Sequence, residues 1–532
     1  MNWRTGSISM NGWLRLSGAE QPETTVMQAF CKNFVTFVAR LDGYLLVCGT
    51  NAYNPACWKM DGGTFEKQST SWAEQLSPRF PGFNYNILNI GNEMYSTIPK
   101  QSNNAASTKK ATFKKIKGTN PMRYTGGNLL KNPVFVKSLA VEAKQKNESR
   151  IFLFFMDDNS ELRTTDKRVP MIAQMCKEEM GSVKPDERNM FSTALKSRLI
   201  CGDPEGQYYN ILQDIYFLQS QDLVYGLFTN AWNHSAVCSY KIENIESVFN
   251  TSDLFGSEKK DLEIRPGKCL SEHTPQVTAD EAANHPELVD WVWPLGNRTV
   301  FQTLEYYRKL VVDEIAAKNE IWRVIIVATD SGRLHKVVVD HVNNSATNVL
   351  EMQPCNKTVN ILFLQLDQNN TEHTLYVGTA NAIYRIFLDD CRAYNNSCTD
   401  CRSSEDPYCA WYGGECQSIL KRPLENLKTG ASAGDTVCAG IVVFCNDRHR
   451  CIPDPFNILL ERHRAFHVWG GSVLPAYRSL AGGRDTLGGQ VTTYVTRCRV
   501  RRSVRENARR SPPPPDEAPI GAKRVEYFVT TH

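Results

Sequence analysis

Along most of the chain, apolar positions come in short runs rich in β-branched and aromatic residues, each closed by small or turn-forming residues. The unit recurs as Y-L-L-V-C-G-T-N-A-Y at 44–53, V-Y-G-L-F-T-N-A-W at 224–232, V-I-I-V-A-T-D-S-G at 324–332 and L-Y-V-G-T-A-N-A-I-Y-R-I-F at 375–387. Its turn threonines, Thr50, Thr229, Thr329 and Thr379, are separated by 179, 100 and 50 residues. The shortest spacing is that of one blade of a propeller, the next that of two, and the longest that of three or more with insertions. Helical periodicity is scarce. The stretch K-S-R-L-I-C-G-D at 196–203, ended by Gly-Asp-Pro, reads as strand rather than helix. The pattern predicts an all-β chain, a propeller in preference to an array of sandwiches.

Composition narrows the class. With 41% hydrophobic and 22% charged residues, the chain has the make-up of a globular protein. No apolar run is long enough to span a membrane, and the opening M-N-W-R-T-G-S-I-S-M-N-G-W has no signal-peptide core. Residues 440–532 carry 15 Lys and Arg against 8 Asp and Glu, so the formal charge of +4 belongs to the tail. The body gives no reason to expect a nucleic-acid surface.

Cysteine and asparagine set the compartment. Of 17 cysteines, eight fall between Cys391 and Cys451, which is either a disulfide knot or a metal site. Eight Asn-x-Ser/Thr sites, at Asn147, Asn233, Asn250, Asn297, Asn343, Asn356, Asn369 and Asn395, favour the secretory pathway and hence the knot. The zinc alternative rests on Cys398-x2-Cys401 with Cys409 and Cys416. It lacks a second CxxC and a nearby His, and a sequon at Asn395 falls inside it. Within the body, Cys48 and Cys57 flank a Gly- and Pro-containing turn and are expected to pair. Cys238 and Cys269 bracket a polar insertion and are paired on that ground, while Cys176 with Cys201 is the remaining guess, both being alternatively buried free thiols.

Catalytic motifs are absent: there is no G-x-S-x-G, Walker loop or H-E-x-x-H. H-P-E-L-V-D at 285–290 and D-S-G-R-L-H-K at 330–336 read as surface turns. R-V-R-R at 499–502 has the form of a basic processing site, although a solvated charge run explains it as well. No enzyme, cofactor or metal is implied.

Six landmarks in order, C-K-N-F-V-T-F-V-A-R (31–40) running into L-L-V-C-G-T-N-A-Y-N-P-A-C-W (45–58), M-Y-S-T-I (94–98), A-L-K-S-R-L-I-C (194–201), N-A-W-N-H-S-A-V-C (230–238), R-P-G-K-C (265–269) and D-P-Y-C-A-W (406–411), resemble the semaphorin family. The resemblance spans roughly residues 28–439, with class 7 and viral semaphorins nearest in phrasing. It implies a seven-bladed β-propeller, the sema domain, at 28–390 and a small disulfide-rich PSI module at 391–439. An atypical segment at 1–27 precedes them, and an Arg-, Pro- and Gly-rich tail, read as disordered, follows at 440–532. The first blade is expected to be incomplete.

The resemblance further implies the pairs Cys391–Cys409, Cys401–Cys416 and Cys398–Cys438, with Tyr408 and Trp411 over the knot. Crosslinks, each contributing ~2–4 kcal/mol, would substitute for the core that so small a module lacks. Cys31, Cys355, Cys445, Cys451 and Cys498 receive no partners. The implied function is that of an extracellular signalling ligand, in axon guidance, cell migration and immune signalling, that binds and dimerises plexin-type receptors, plexin C by class. Homodimerisation and integrin engagement also follow from the class, although the chain has no Arg-Gly-Asp. The receptor-facing edge would carry Lys196, Arg198, Gln207, Asn210 and Gln213. A fragment of a plexin- or Met-type receptor ectodomain is the alternative, and an intracellular zinc scaffold a more distant one.

Overall fold

A computed structural model describes residues 33–420, apart from short internal stretches, together with strands at 443–445 and 451–453. Residues 1–27 and most of the tail lie outside the described residues, as do Cys31, Gln207, Asn343, Cys355, Asn356, Asn395, Cys438 and Cys498. The chain divides into two units, Met1–Asp435 and Thr436–His532. In the second, Val443–Cys445 pairs antiparallel with Cys451–Pro453.

The first unit contains six consecutive antiparallel sheets among the described residues. Blade 1 comprises Val35–Leu41, Tyr44–Gly49, Ala56–Asp61 and Lys67–Trp72. Blade 2 comprises Ile87–Ile90, Glu93–Ile98 and Thr112–Lys117, and blade 3 comprises Val134–Val141, Arg150–Asp158, Arg168–Cys176 and Leu195–Arg198. Blade 4 comprises Ile211–Leu218, Leu223–Thr229, Ser235–Lys241 and Phe301–Thr303. Blade 5 comprises Tyr307–Ala317, Glu320–Thr329, Leu334–Val339 and Ala346–Met352, and blade 6 comprises Ile361–Asn369, Glu372–Thr379 and Ile383–Phe387. The fold is thus the expected all-β propeller, with one sheet fewer than the seven anticipated.

Blade stacking explains why the central strands read as unbroken apolar runs. In Arg150–Asp158, Phe152, Phe154 and Met156 pack towards blade 4, while Ile151, Leu153 and Phe155 pack towards blade 2. With a neighbour on each face, a strand of side-chain period two needs apolar residues at every position. Blade 4 repeats the device, with Val224 and Phe228 on one side and Tyr225 and Leu227 on the other.

A second repeat appears in the register. The first strand of blades 1, 3, 4, 5 and 6 slips between Val35/Phe37, Phe135/Lys137, Leu212/Asp214, Tyr307/Lys309 and Ile361/Phe363. A bulge at the same place bends and twists each of these strands. The turn threonines work beside it. Thr329 Oγ1 accepts from Arg333 N at 3.0 Å and Thr379 Oγ1 from Ala382 N at 3.1 Å, closing their turns. Thr50 Oγ1 accepts instead from Phe34 N at 2.9 Å, and Thr229 Oγ1 from Gln213 Nε2 at 2.9 Å, pinning the turn to the first strand.

Between the third and fourth strands of blade 4 lies an insertion with two helices, α1 (Ile242–Thr251) and α2 (Gln276–Asn284). Ile242, Ile245 and Phe249 of α1 bury against blades 3 and 4. The insertion corrects two disulfide expectations. Cys176 pairs with Cys269 and Cys201 with Cys238, so neither Cys238–Cys269 nor Cys176–Cys201 forms. Cys176 ends a strand against which the loop of Gly267 is laid. Cys201 follows blade 3's last strand, where Tyr240 Oη donates to Ile200 O at 2.6 Å and brings Cys238 alongside. Cys48 pairs with Cys57, its directly opposite residue in the ladder.

The insertion also corrects the reading of 285–290 as a surface turn. Leu288 is fully buried, and Glu287 lies in a bridge beside Lys196. In 330–336, only the turn itself is a turn, since His335 and Lys336 are buried.

The cysteine module follows blade 6. It consists of a 3-10 turn, Cys391–Tyr394, a helix α3, Cys398–Ser403, and the paired strands Cys409–Tyr412 and Glu415–Ser418. Cys391–Cys409 and Cys401–Cys416 are joined, and Cys398 is also disulfide-bonded. Sulfurs that a zinc site would need as thiolates are thereby engaged. Trp411 packs on the cystines, as implied. Tyr408 instead points into the core shared with blades 5 and 6, where its hydroxyl donates to Asp313.

Candidate receptor-binding site

Each blade is an up-and-down meander, so its second turn and the connection leaving its last strand emerge at the same end. In blade 3, that end brings together Asp166, from the turn before Arg168–Cys176, and Arg198, which closes Leu195–Arg198. Asn210 joins them from the connection to blade 4. Arg198 Nη2 lies 3.4 Å from Asp166 Oδ2, and Asn210 Nδ2 donates to Asp166 Oδ1 at 2.8 Å.

An aromatic ladder runs from this node. The Arg198 guanidinium lies over Trp291, 4.8 Å from the ring centroid. Trp291 stacks on Trp293 at 6.3 Å, and Trp293 meets Tyr208 at 6.4 Å. The two tryptophans share a face because 287–292 runs as an extended segment beside blade 3, with Val292 turned inwards and bridged to Leu199. The ladder ends at an exposed Tyr208. Trp232, 72% exposed in the second turn of blade 4, and Leu304, in the connection to blade 5, stand at the corresponding end of the neighbouring blade.

The expected residues divide sharply. Arg198 and Asn210 meet at Asp166. Gln213 is half-buried and spent on Thr229, and Gln207 lies outside the described residues. Lys196 is a correction: it is 1% exposed, with Nζ 3.1 Å from Asp157 Oδ2 and 3.9 Å from Glu287 Oε2. A buried ammonium held by two carboxylates supports the fold and offers nothing to a receptor. Arg198 too is mostly buried, so its expected role as a surface charge is replaced by one of steadying Trp291.

Asp166, Tyr208, Trp291 and Trp293 were missed. The signal for the tryptophans was the alternation in D-W-V-W-P at 290–294, which places both on one face of a strand. Of the sequons, Asn233, Asn250 and Asn297 are exposed and Asn147 is half-buried.

The chain is a run of stacked blades followed by a crosslinked module, with Tyr208, Trp232 and Leu304 exposed at the loop ends of blades 3 and 4. Comparisons identify the kind. A Sema domain profile matches residues 212–368, and a Plexin repeat profile matches 390–436. Human Semaphorin-7A is 34% identical over 404 residues, covering 73% of this chain and 60% of that protein. Among solved structures, Drosophila Semaphorin 2a has a TM-score of 0.62 and 25% identity, covering 75% of this chain and 70% of that one. A structure of Drosophila Plexin A in complex with Semaphorin 1b gives 0.60 and 22%, covering 74% and 81%. The chain is a member of the semaphorin family. It spans about 60% of the length of the first curated relatives it matches.

Proposed function

We propose that this chain is an extracellular ligand for a plexin-type receptor, plexin C by class, acting as a homodimer that brings receptors together. The observation that carries the reading is the sema propeller joined to a PSI module, a fold shared with the Plexin A–Semaphorin 1b complex. Five disulfides among the described residues, together with the exposed sequons, fit an oxidising compartment. The receptor face is the loop end of blades 3 and 4, where Tyr208, Trp232 and Trp293 supply aromatic area and Asp166, Arg198 and Asn210 hold it in shape.

Surface plasmon resonance of the monodisperse, secreted protein against a panel of plexin ectodomains tests this. Binding to at least one member is expected, weakened about tenfold or more by Tyr208→Ala with Trp293→Ala at an unchanged melting temperature. Lys196→Glu should instead abolish folded yield, by placing a third carboxylate against Asp157 and Glu287. A panel with no binder would overturn the proposal.

A further inference from the structure

The sulfurs of Cys391, Cys409 and Cys416 all lie within 4.8 Å of one another. Cys391 and Cys409 form one cystine, while Cys416 belongs to the other with Cys401. One sulfur of the second bond is therefore within a short movement of both sulfurs of the first. Thiol–disulfide exchange needs only that a thiolate reach a disulfide sulfur. Holding the two groups in one small module makes that step intramolecular and fast relative to attack by a second external thiol.

We propose that the PSI module carries an internal disulfide relay, driven by a dithiol reductant of the thioredoxin type. A thiolate of the reductant attacks Sγ of Cys409, the half-buried member of its pair, forming a mixed disulfide and releasing Cys391 as thiolate. The Cys391 thiolate attacks Sγ of Cys416, forming Cys391–Cys416 and releasing Cys401 as thiolate, which takes a proton. The second thiol of the reductant then attacks the mixed disulfide, leaves as the cyclic disulfide, and frees Cys409 as a thiol. Two electrons have entered, one disulfide has been lost, and the survivor joins residues not originally paired.

The new bond suits the fold already in place. Ser418 Oγ donates to Asp389 Oδ2 at 2.6 Å, so the strand carrying Cys416 and the segment leading to Cys391 are held together before any exchange. The released end is the informative one. Ser404 Oγ donates to Cys401 O at 2.8 Å and accepts from Asp406 N at 3.2 Å. Asp406 in turn holds Lys336 of blade 5. Freeing Cys401 therefore loosens the turn that docks the module on the propeller, which makes the relay a redox-sensitive release.

Limited reduction of the native full chain with dithiothreitol, quenched by N-ethylmaleimide and mapped by peptide mass spectrometry, tests the relay. Among singly reduced molecules, the expected main species links Cys391 to Cys416 and carries the label on Cys401 and Cys409. In concentrated urea that preference should vanish. Label confined to Cys391 and Cys409, label confined to Cys401 and Cys416, simultaneous labelling of all four, any other linkage, or a preference that persists in urea each overturns the proposal.

Discussion

At the residue scale, buried charge in this protein is tolerated only where partners converge on it, and Glu179 shows how narrow the margin is. Its carboxylate accepts from Ser192 N at 2.7 Å and Thr193 N at 3.1 Å, and also from the Thr193 hydroxyl. Burial nevertheless raises its pKa from 4.5 to about 7, against the hydrogen bonds and Arg123, which lower it. A folded pKa above the unfolded one means that the native state holds its proton more tightly. The contribution is complete below pH 4.5 and is lost as pH rises through 7, a change of ~3 kcal/mol. His335, whose pKa is lowered chiefly by burial, acts oppositely as pH falls below 6.5, so the test must be differential. Denaturant unfolding of Glu179→Gln beside the parent should show a stability gap that narrows from pH 5 to pH 8. The variant also has a pH-independent cost of ~1–3 kcal/mol, because one amide N–H2 faces a backbone donor. A gap constant with pH would refute the assignment.

At the element scale, the join between propeller and module is built from charge rather than apolar area alone. Lys336 Nζ lies 2.7 Å from Asp406 Oδ2 and donates to Leu388 O at 2.7 Å, with the Tyr408 ring 4.7 Å away. Tyr394 Oη donates to the same Asp406 oxygen at 2.6 Å. Both ionic side chains are 1% exposed, so removing one strands the other without water. Lys336→Met should cost ~3–5 kcal/mol and expose the module to protease. Adding Asp406→Asn should recover part of that loss, since the carboxylate charge is then gone. Chemical denaturation of the two single variants and the double variant gives the coupling directly. Strictly additive losses would show that the pair does not act as a unit.

At the scale of the whole molecule, what could be read from the sequence was what repeats. The turn threonines announced the blades because each occupies the same place in its blade, although the 100 residues from Thr229 to Thr329 span one blade lengthened by the insertion rather than the two expected, and the apolar runs announced stacked sheets because both faces are covered. The insertion could not be read in this way. Its partners are set by which loops cross, so the pairings Cys176–Cys269 and Cys201–Cys238 and the burial of Lys196 against Glu287 left no local trace. The same division predicts how stability is distributed. Apolar clusters join blades 2 and 3, 3 and 4, 4 and 5, and 5 and 6. In blade 1, by contrast, the buried cluster is Cys48, Cys57 and Ala73, with Phe37, Leu46 and Leu76 against it. All of these belong to that blade and the turn after it, while Val35 and Val38 are exposed. A sheet that shares little core with its neighbour opens at less than the global free energy. Hydrogen exchange should therefore protect the amides of Arg150–Asp158 and Glu320–Thr329 longest and those of Val35–Leu41 and Lys67–Trp72 least. Tyr44–Gly49 and Ala56–Asp61, crosslinked by Cys48–Cys57, should fall between the two. Blade 1 amides exchanging as slowly as those of blade 5 would mean that its cohesion comes from contacts beyond the described residues.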